Sequence, residues 1–278
     1  MKPPQITNFV RFAAGALLGL CSWGIADAGL ATSVNGLYYT GVNDSGGLLT
    51  GGSRDSHWTV IDSNKGSTYE GAGYVVNSSY IDGAWVQNTS SAQWITAPGA
   101  QTTSGTVNVG GDMLPGTSSS NASYVYKLSF NIAGSGNAGE KVTNQISITL
   151  TLAADDLAKI YVNPTLTNGQ ITSGTVAGSI TSGSPWTNTS AITLQNFDTS
   201  KNANFVIGTN TLVIEVDNTG SATLNPSGLL VYQTGSAVLI DGHPNPTPEA
   251  GVWLPVVGAL GLFFWQRRRP SAKQSLVA

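Results

Sequence analysis

Apolar and polar residues alternate with period two over several stretches of the chain. Tyr124, Tyr126, Leu128, Phe130 and Ile132 interleave with Val125, Lys127, Ser129 and Asn131, and Ile146, Ile148, Leu150 and Leu152 interleave with Ser147, Thr149 and Thr151. Leu212, Ile214 and Val216 repeat the pattern against Val213, Glu215 and Asp217. Each run predicts a strand with one apolar face, because successive side chains of a strand point to opposite sides. Further strands are predicted at 58–61, 73–76, 93–96, 158–162, 170–176, 192–194 and 228–232, separated by clusters of turn-forming residues. No helical period intervenes between residues 33 and 239. The polar positions are rich in Thr and Ser, which suits an antiparallel sheet with water on one face. The expectation is an all-β body built as an antiparallel β-sandwich. A β-solenoid is the alternative, because Ile171-Thr172-Ser173-Gly174 returns as Ile180-Thr181-Ser182-Gly183, but nothing carries that echo further along the chain.

The two ends break the pattern. Lys2 and Arg11 precede an apolar run over 12–20, and Ala26-Asp27-Ala28 follows. Charge, apolar core and a small-x-small site in that order make a secretory signal peptide, predicted as a helix over residues 1–28 and cleaved after Ala28 by way of the Sec export machinery. Cys21 is the only cysteine and leaves with that segment, so the mature chain has no thiol with which to form a disulfide. A lipid-attachment reading of Gly19-Leu20-Cys21 is disfavoured by the bulky Leu20.

At the other end, Pro244-Asn245-Pro246-Thr247-Pro248-Glu249-Ala250 leads into an almost wholly apolar segment at 252–265 and then Arg267-Arg268-Arg269. This arrangement resembles the PEP-CTERM sorting signal of Gram-negative bacteria. The resemblance implies processing by an exosortase, a membrane transpeptidase with a Cys nucleophile. It rests on Pro248, Glu249 and the three arginines; Ala250 stands where the family has a second Pro, and residues 270–278 continue past the arginines. A helix of the fourteen residues 252–265 rises about 21 Å, short of the roughly 20 residues a comfortable permanent span needs, as suits a transient anchor in the inner membrane. The arginines put 270–278 in the cytoplasm and the body, residues 29–242, outside it. A plain anchor that is never cleaved is the alternative for 243–269.

Composition sharpens this division. Charged residues make up only 10% of the 278, against roughly a quarter in ordinary soluble domains. A mean hydropathy of +0.03 with seven Trp and nine Tyr still argues for a folded core. Lys2, Arg11, Arg267, Arg268, Arg269 and Lys273, half of the basic residues, lie in the ends, so the body carries six basic against thirteen acidic residues, a net of -7. No basic patch for nucleic acid is left on it.

Several chemistries are excluded or weakened by residue types alone. With His57 and His243 as the only histidines and no cysteine after export, zinc sites of the usual His/Cys spacing are ruled out. Asp55, Ser56 and His57 are adjacent and no nucleophile elbow occurs, which disfavours a Ser-His-Asp enzyme and leaves His57 as a structural strand residue. Gly134-Ser135-Gly136-Asn137-Ala138-Gly139 fits a dinucleotide fingerprint, but the alternating run after it predicts a strand where the fingerprint needs a helix, so it is read as a hairpin loop. Asp155-Asp156 is the one adjacent acid pair in the chain, too close together to flank a glycosidic bond. It is better suited to a turn cap or to oxygen ligands of a structural calcium ion, as is the Asp62-x-Asn64-x-Gly66 fragment. No other cofactor is expected.

The order of elements across residues 34–232 resembles a galactose-binding-like jelly roll. It runs from Gly36-Leu37-Tyr38-Tyr39-Thr40-Gly41-Val42-Asn43-Asp44 through Asp55-Ser56-His57-Trp58 and Gln93-Trp94-Ile95 to Tyr124-Val125-Tyr126, then Ala154-Asp155-Asp156, Ile160-Tyr161-Val162-Asn163, Gly208-Thr209-Asn210-Thr211-Leu212, Asp217-Asn218 and Asn225-Pro226-Ser227-Gly228-Leu229. The resemblance implies a jelly-roll sandwich of the kind that serves many glycosidases as a sugar-binding module. Pro164 after Asn163 departs from its usual Asn-Gly turn and argues against a tight hairpin there. Tryptophans in turn-rich surroundings suit stacking on sugar rings, while nearby amides bind hydroxyls. Trp58 and Trp94 sit among strand formers and are assigned to the core; Trp85 and Trp186 could serve either role. The candidate ligand site is therefore Trp85, Trp186, Asp155, Asp156 and Asn163, on condition that they converge on one concave surface. The expected function is that of an exported, non-enzymatic protein of the cell surface or extracellular matrix that binds exopolysaccharide or another glycan. A structural matrix protein without a specific ligand is the alternative, and a glycoside hydrolase a distant third.

Overall fold

The computed structural model describes residues 29–64, 66–78, 81, 84–98, 122–181, 184–197, 203–219, 227–234 and 237–245. The signal segment with Ala26 and Ala28, the sorting motif Pro248, Glu249 and Ala250, the apolar run 252–265, Arg267, Arg268, Arg269 and the tail lie outside the described residues.

The described chain is all-β. In order, the strands are β1 (Ala31–Asn35), β2 (Arg54–Ser63), β3 (Gly71–Val75), β4 (Ile95–Thr96), β5 (Ala122–Gly134), β6 (Ile146–Asp155), β7 (Leu157–Val162) and β8 (Thr165–Thr167). There follow β9 (Gln170–Ser173), β10 (Val176–Ile180), β11 (Ser190–Gln195), β12 (Gly208–Asn218), β13 (Gly228–Tyr232), β14 (Val238–Ile240) and β15 (His243–Pro244). No helix among the described residues is long and apolar enough to cross a membrane.

One antiparallel sheet runs β10-β7-β12-β5-β2-β3-β4-β13-β6-β14-β15, with β1 sharing an edge of β5 and β11 taking the far edge of β6. It curls so that its two halves pack as a β-sandwich. The corner is β3-β4-β13, where Val75 pairs with Ile95 and Ile95 with Leu229. At the opposite seam β10 and β11 come together without a ladder. The period-two residues do what their spacing predicts: Tyr124, Tyr126, Leu128, Phe130 and Ile132 of β5, Ile146, Ile148, Leu150 and Leu152 of β6 and Leu212, Ile214 and Val216 of β12 all belong to the central core with Trp58.

Three sequence expectations are corrected. The outer faces are not simply wet, because each carries a satellite core. On β5, β7 and β12, Val125, Tyr161 and Val213 lie under Leu166 and Ile171 of the β8–β9 hairpin; on β6 and β13, Ala153 and Leu230 lie under Trp85 and Trp94. The stretch 170–176 is not one strand: Gly174, at φ +154°, breaks it into β9 on the hairpin and β10 on the main sheet. The glycine loop after Gly134 is not a hairpin, since β5 and β6 belong to opposite halves and the loop crosses between them. The preference for a sandwich over a solenoid stands: the Ile-Thr-Ser-Gly echo begins on unlike elements, β9 and the end of β10.

The hairpin is set by Asn168 and Gly169, both at positive φ (51° and 85°), as a two-residue primed turn requires. A Cβ on Gly169 would land on the Ile61 carbonyl oxygen, so glycine also lets the hairpin tip rest on β2. As Pro164 suggests, β7 pairs with β10 and β12 and not with β8.

Candidate functional site

Of the residues chosen from the sequence, Trp85, Trp186 and Asp155 come together around β13, where Asp155 pairs with the Gly228 that Trp85 covers, whereas Asn163 lies apart from them. Asp155 and Asp156 lie where β6 turns into β7, and Asn163 lies just past the other end of β7. Six strand residues separate these ends, about 20 Å. Asp156 accepts hydrogen bonds from the Thr219 amide at 2.6 Å and hydroxyl at 2.7 Å. Asp155 is buried, and its carbonyl accepts from the Ser227 hydroxyl at 3.3 Å. The pair thus ties the ends of β12 and β13 to the β6–β7 turn. Asn163, at φ +50°, donates to Asn204 O at 2.7 Å and Asn210 Oδ1 at 2.8 Å and accepts from the Thr211 amide at 2.7 Å. Its side chain is fully occupied in holding a turn.

Trp85 is 4% exposed. Its ring lies 4.3 Å from that of Trp94, and both indoles sit over Gly228, where a Cβ would come within 2.9 Å of Trp85 Cη2 and 3.0 Å of Trp94 Cε3. Trp94 is fixed further by its own indole N–H, which donates to Val86 O at 2.7 Å. Trp186 is only partly buried and packs on the rim of this cluster with Tyr39 and Tyr232. Trp58 and Trp94 are core residues as expected, and Trp85 joins them.

No three His, Cys, Asp or Glu side chains gather in a way that could hold a metal ion among the described residues. In the calcium-loop fragment, the Asn64 side-chain oxygen accepts the Ser123 amide at 2.9 Å. Asp55 and His57 form no catalytic pair: the aspartate accepts the His57 backbone amide at 2.8 Å, and the imidazole stacks on Tyr38, with centroids 3.5 Å apart and planes 5° from parallel. His57 Nε2 faces the exposed Asp44 carboxylate at 3.3 Å, off the hydrogen-bonding direction.

A concave site does occur, at residues the sequence reading did not single out as a site. A cleft of about 190 Å³ opens beside the C-terminal end of β13, lined by Leu37, Tyr38, Tyr39, Val42, Gly46 and Gln233. The segment that carries most of it follows β1 and is clamped from below. Fully buried Asp55 accepts the amides of Gly41 (2.7 Å) through Oδ2 and of His57 (2.8 Å) and Trp58 (3.1 Å) through Oδ1. Gln93 donates to Gly41 O at 2.9 Å and Leu49 O at 2.7 Å, and the Thr40 amide donates to Val231 O at 3.0 Å. Trp58 Nε1 donates to Tyr38 O at 3.2 Å. Gly41, at φ +73°, has no room for a side chain, because a Cβ would lie 2.6 Å from Gln93 Cβ.

Two features of the cleft bear on chemistry. Burial pushes the Tyr39 phenol up, so it stays a neutral hydroxyl over the physiological range. The Gln233 amide nitrogen is buried and finds no hydrogen-bond partner among the described residues. Aromatic walls with one amide suit a small polar ligand that has an apolar face. No protein-family model, no curated protein and no solved structure matches this chain.

Proposed function

We propose that this chain is an exported, non-catalytic protein of the bacterial envelope or extracellular matrix, delivered by a cleaved signal peptide, sorted by a PEP-CTERM-like C-terminal signal and binding a glycan through its β-sandwich body. We read the sandwich as a galactose-binding-like jelly roll. The observation that carries the proposal is the order of parts: signal segment, sparsely charged and net acidic all-β body, Pro248-Glu249, apolar run and arginine cluster. The body supports it in one respect. Asn245, the last described residue, accepts from the Val34 amide at 2.9 Å and donates to Val34 O at 2.8 Å, while Asn144 bridges Ala31 and Asp241. Residues 31–34 and 241–245 therefore lie side by side, so the chain enters and leaves the sandwich on one side, as suits a module carried on a C-terminal anchor. The second reading, a matrix protein with no specific ligand, is favoured by the structural employment of Trp85, Asp155, Asp156 and Asn163 described above.

The sorting step is tested by replacing Pro248 and Glu249 with alanine in the Gram-negative host that the resemblance implies. The variant is expected to stay in the inner-membrane fraction while the parent chain reaches the surface or medium. Equal release of both would overturn the sorting claim.

A further inference from the structure

We infer that the cleft lined by Leu37, Tyr38, Tyr39, Val42, Gly46 and Gln233 is a binding site for a single pyranose unit of a glycan, with the tyrosines as stacking walls and the Gln233 amide as the donor that reads a ring hydroxyl. The inference rests on the glycan-binding reading and gives it a location on the flank of the sandwich beside β13, away from the β6–β7 turn that holds Asp155 and Asp156.

Three observations carry it. A volume of about 190 Å³ has room for one sugar ring and not for an extended chain inside it, so a polysaccharide would present a terminal or branching unit. The walls are already fixed: His57 covers one face of Tyr38 at 3.5 Å, leaving only its other face and edge for a ligand, and Tyr39 is backed by the Trp85–Trp94 cluster. Aromatic side chains held this way lose little freedom on binding. The third is Gln233. Among the described residues its buried amide nitrogen has no hydrogen-bond partner; leaving a buried donor unmet costs about 1–3 kcal/mol, and native structures seldom do so without a reason. A ligand hydroxyl in the cleft that Gln233 lines would supply the acceptor that its amide nitrogen lacks.

That last point gives the site an unusual signature. If Gln233 were structural, removing its amide would weaken the fold. If it is kept for a ligand, Gln233→Leu should leave the melting temperature of the empty protein unchanged or raise it, while binding falls.

The test uses the full chain in a detergent without a sugar headgroup. Saturation-transfer NMR is run with the methyl glycosides of galactose, glucose, mannose, N-acetylglucosamine and rhamnose, and a parallel titration uses the host's exopolysaccharide. We expect at least one of these probes to bind, Tyr39→Ala and Gln233→Leu each to weaken it at least tenfold, and Gln233→Leu to melt no lower than the parent. Undiminished binding in both variants would overturn the cleft as the site while leaving glycan binding in place. A lower melting temperature for Gln233→Leu would overturn the role given to its amide. Failure of the parent chain to bind any probe would overturn the cleft and the glycan-binding reading together.

Discussion

Asp55→Asn is expected to destabilise the protein by about 3 kcal/mol, because hydrogen bonds to a buried charged acceptor are worth roughly 1.5–3 kcal/mol and stranded buried donors add to the loss. Both carboxylate oxygens are in use, Oδ2 by Gly41 and Oδ1 by His57 and Trp58. An asparagine offers only one oxygen, so its NH₂ must face an amide N–H whichever way it turns. In a body of this size the loss corresponds to a melting temperature lower by about 6–12 °C. The damage should extend to the cleft, since Gly41 is the far anchor of the Tyr38–Tyr39 segment.

The pH dependence of the same residue has a definite sign. Burial pushes the Asp55 carboxyl above its ordinary value, and the three amide hydrogen bonds only partly pull it back. The folded state therefore holds this proton more tightly than the unfolded chain. The stabilisation due to protonation is fully present below the unfolded pKa of about 4 and is lost as pH rises through the higher folded value. Thermal melts of Asp55→Asn across the acid range should lack that segment of the curve. A variant as stable as the parent, with the same pH profile, would show that Asp55 is not the clamp described.

Trp85→Ala is expected to cost about 3–5 kcal/mol, the range for removing a buried Trp or Phe. Its indole fills the space between Trp94 and the backbone at Gly228, and β13 has no side chain there to take its place. Trp186→Ala, on the rim of the same cluster, should cost less than half as much. Urea or thermal unfolding of the two variants separates these values. An unchanged midpoint for Trp85→Ala together with lost polysaccharide binding would instead make Trp85 the sugar platform that its turn-rich surroundings suggest.

What the sequence made legible follows from which strands have one dry face. The alternation in β5, β6 and β12 is strong because their inward residues meet in one core, and β13 is bounded by the residues predicted for it, 228–232. The seven-residue strand read at 170–176 failed because its apolar residues serve two partners, Ile171 a satellite core and Val176 the edge of the main sheet. The Asn168-Gly169 pair was the local signal that a hairpin ends the preceding segment. The role of Trp85 was undecidable from its neighbours, since what buries it is the outer face of β6 and β13, distant in sequence. Gly228 at the head of a strand was the available hint, because a glycine there marks close approach by another group. Tyr38, Tyr39 and Gln233 could not have been joined from spacing: almost two hundred residues separate them, and only the curl that sets β13 beside the segment after β1 brings them to one cleft.

On the proposed sorting route the chain is cut at both ends and its body is delivered outside the cytoplasm. Intact mass spectrometry of the protein recovered from the host's surface or medium reads both cuts at once. The expected product begins at Gly29 and lacks Arg267, Arg268 and Arg269; recovery of a chain that still carries residues 1–28 or the arginine tail would overturn the proposed route.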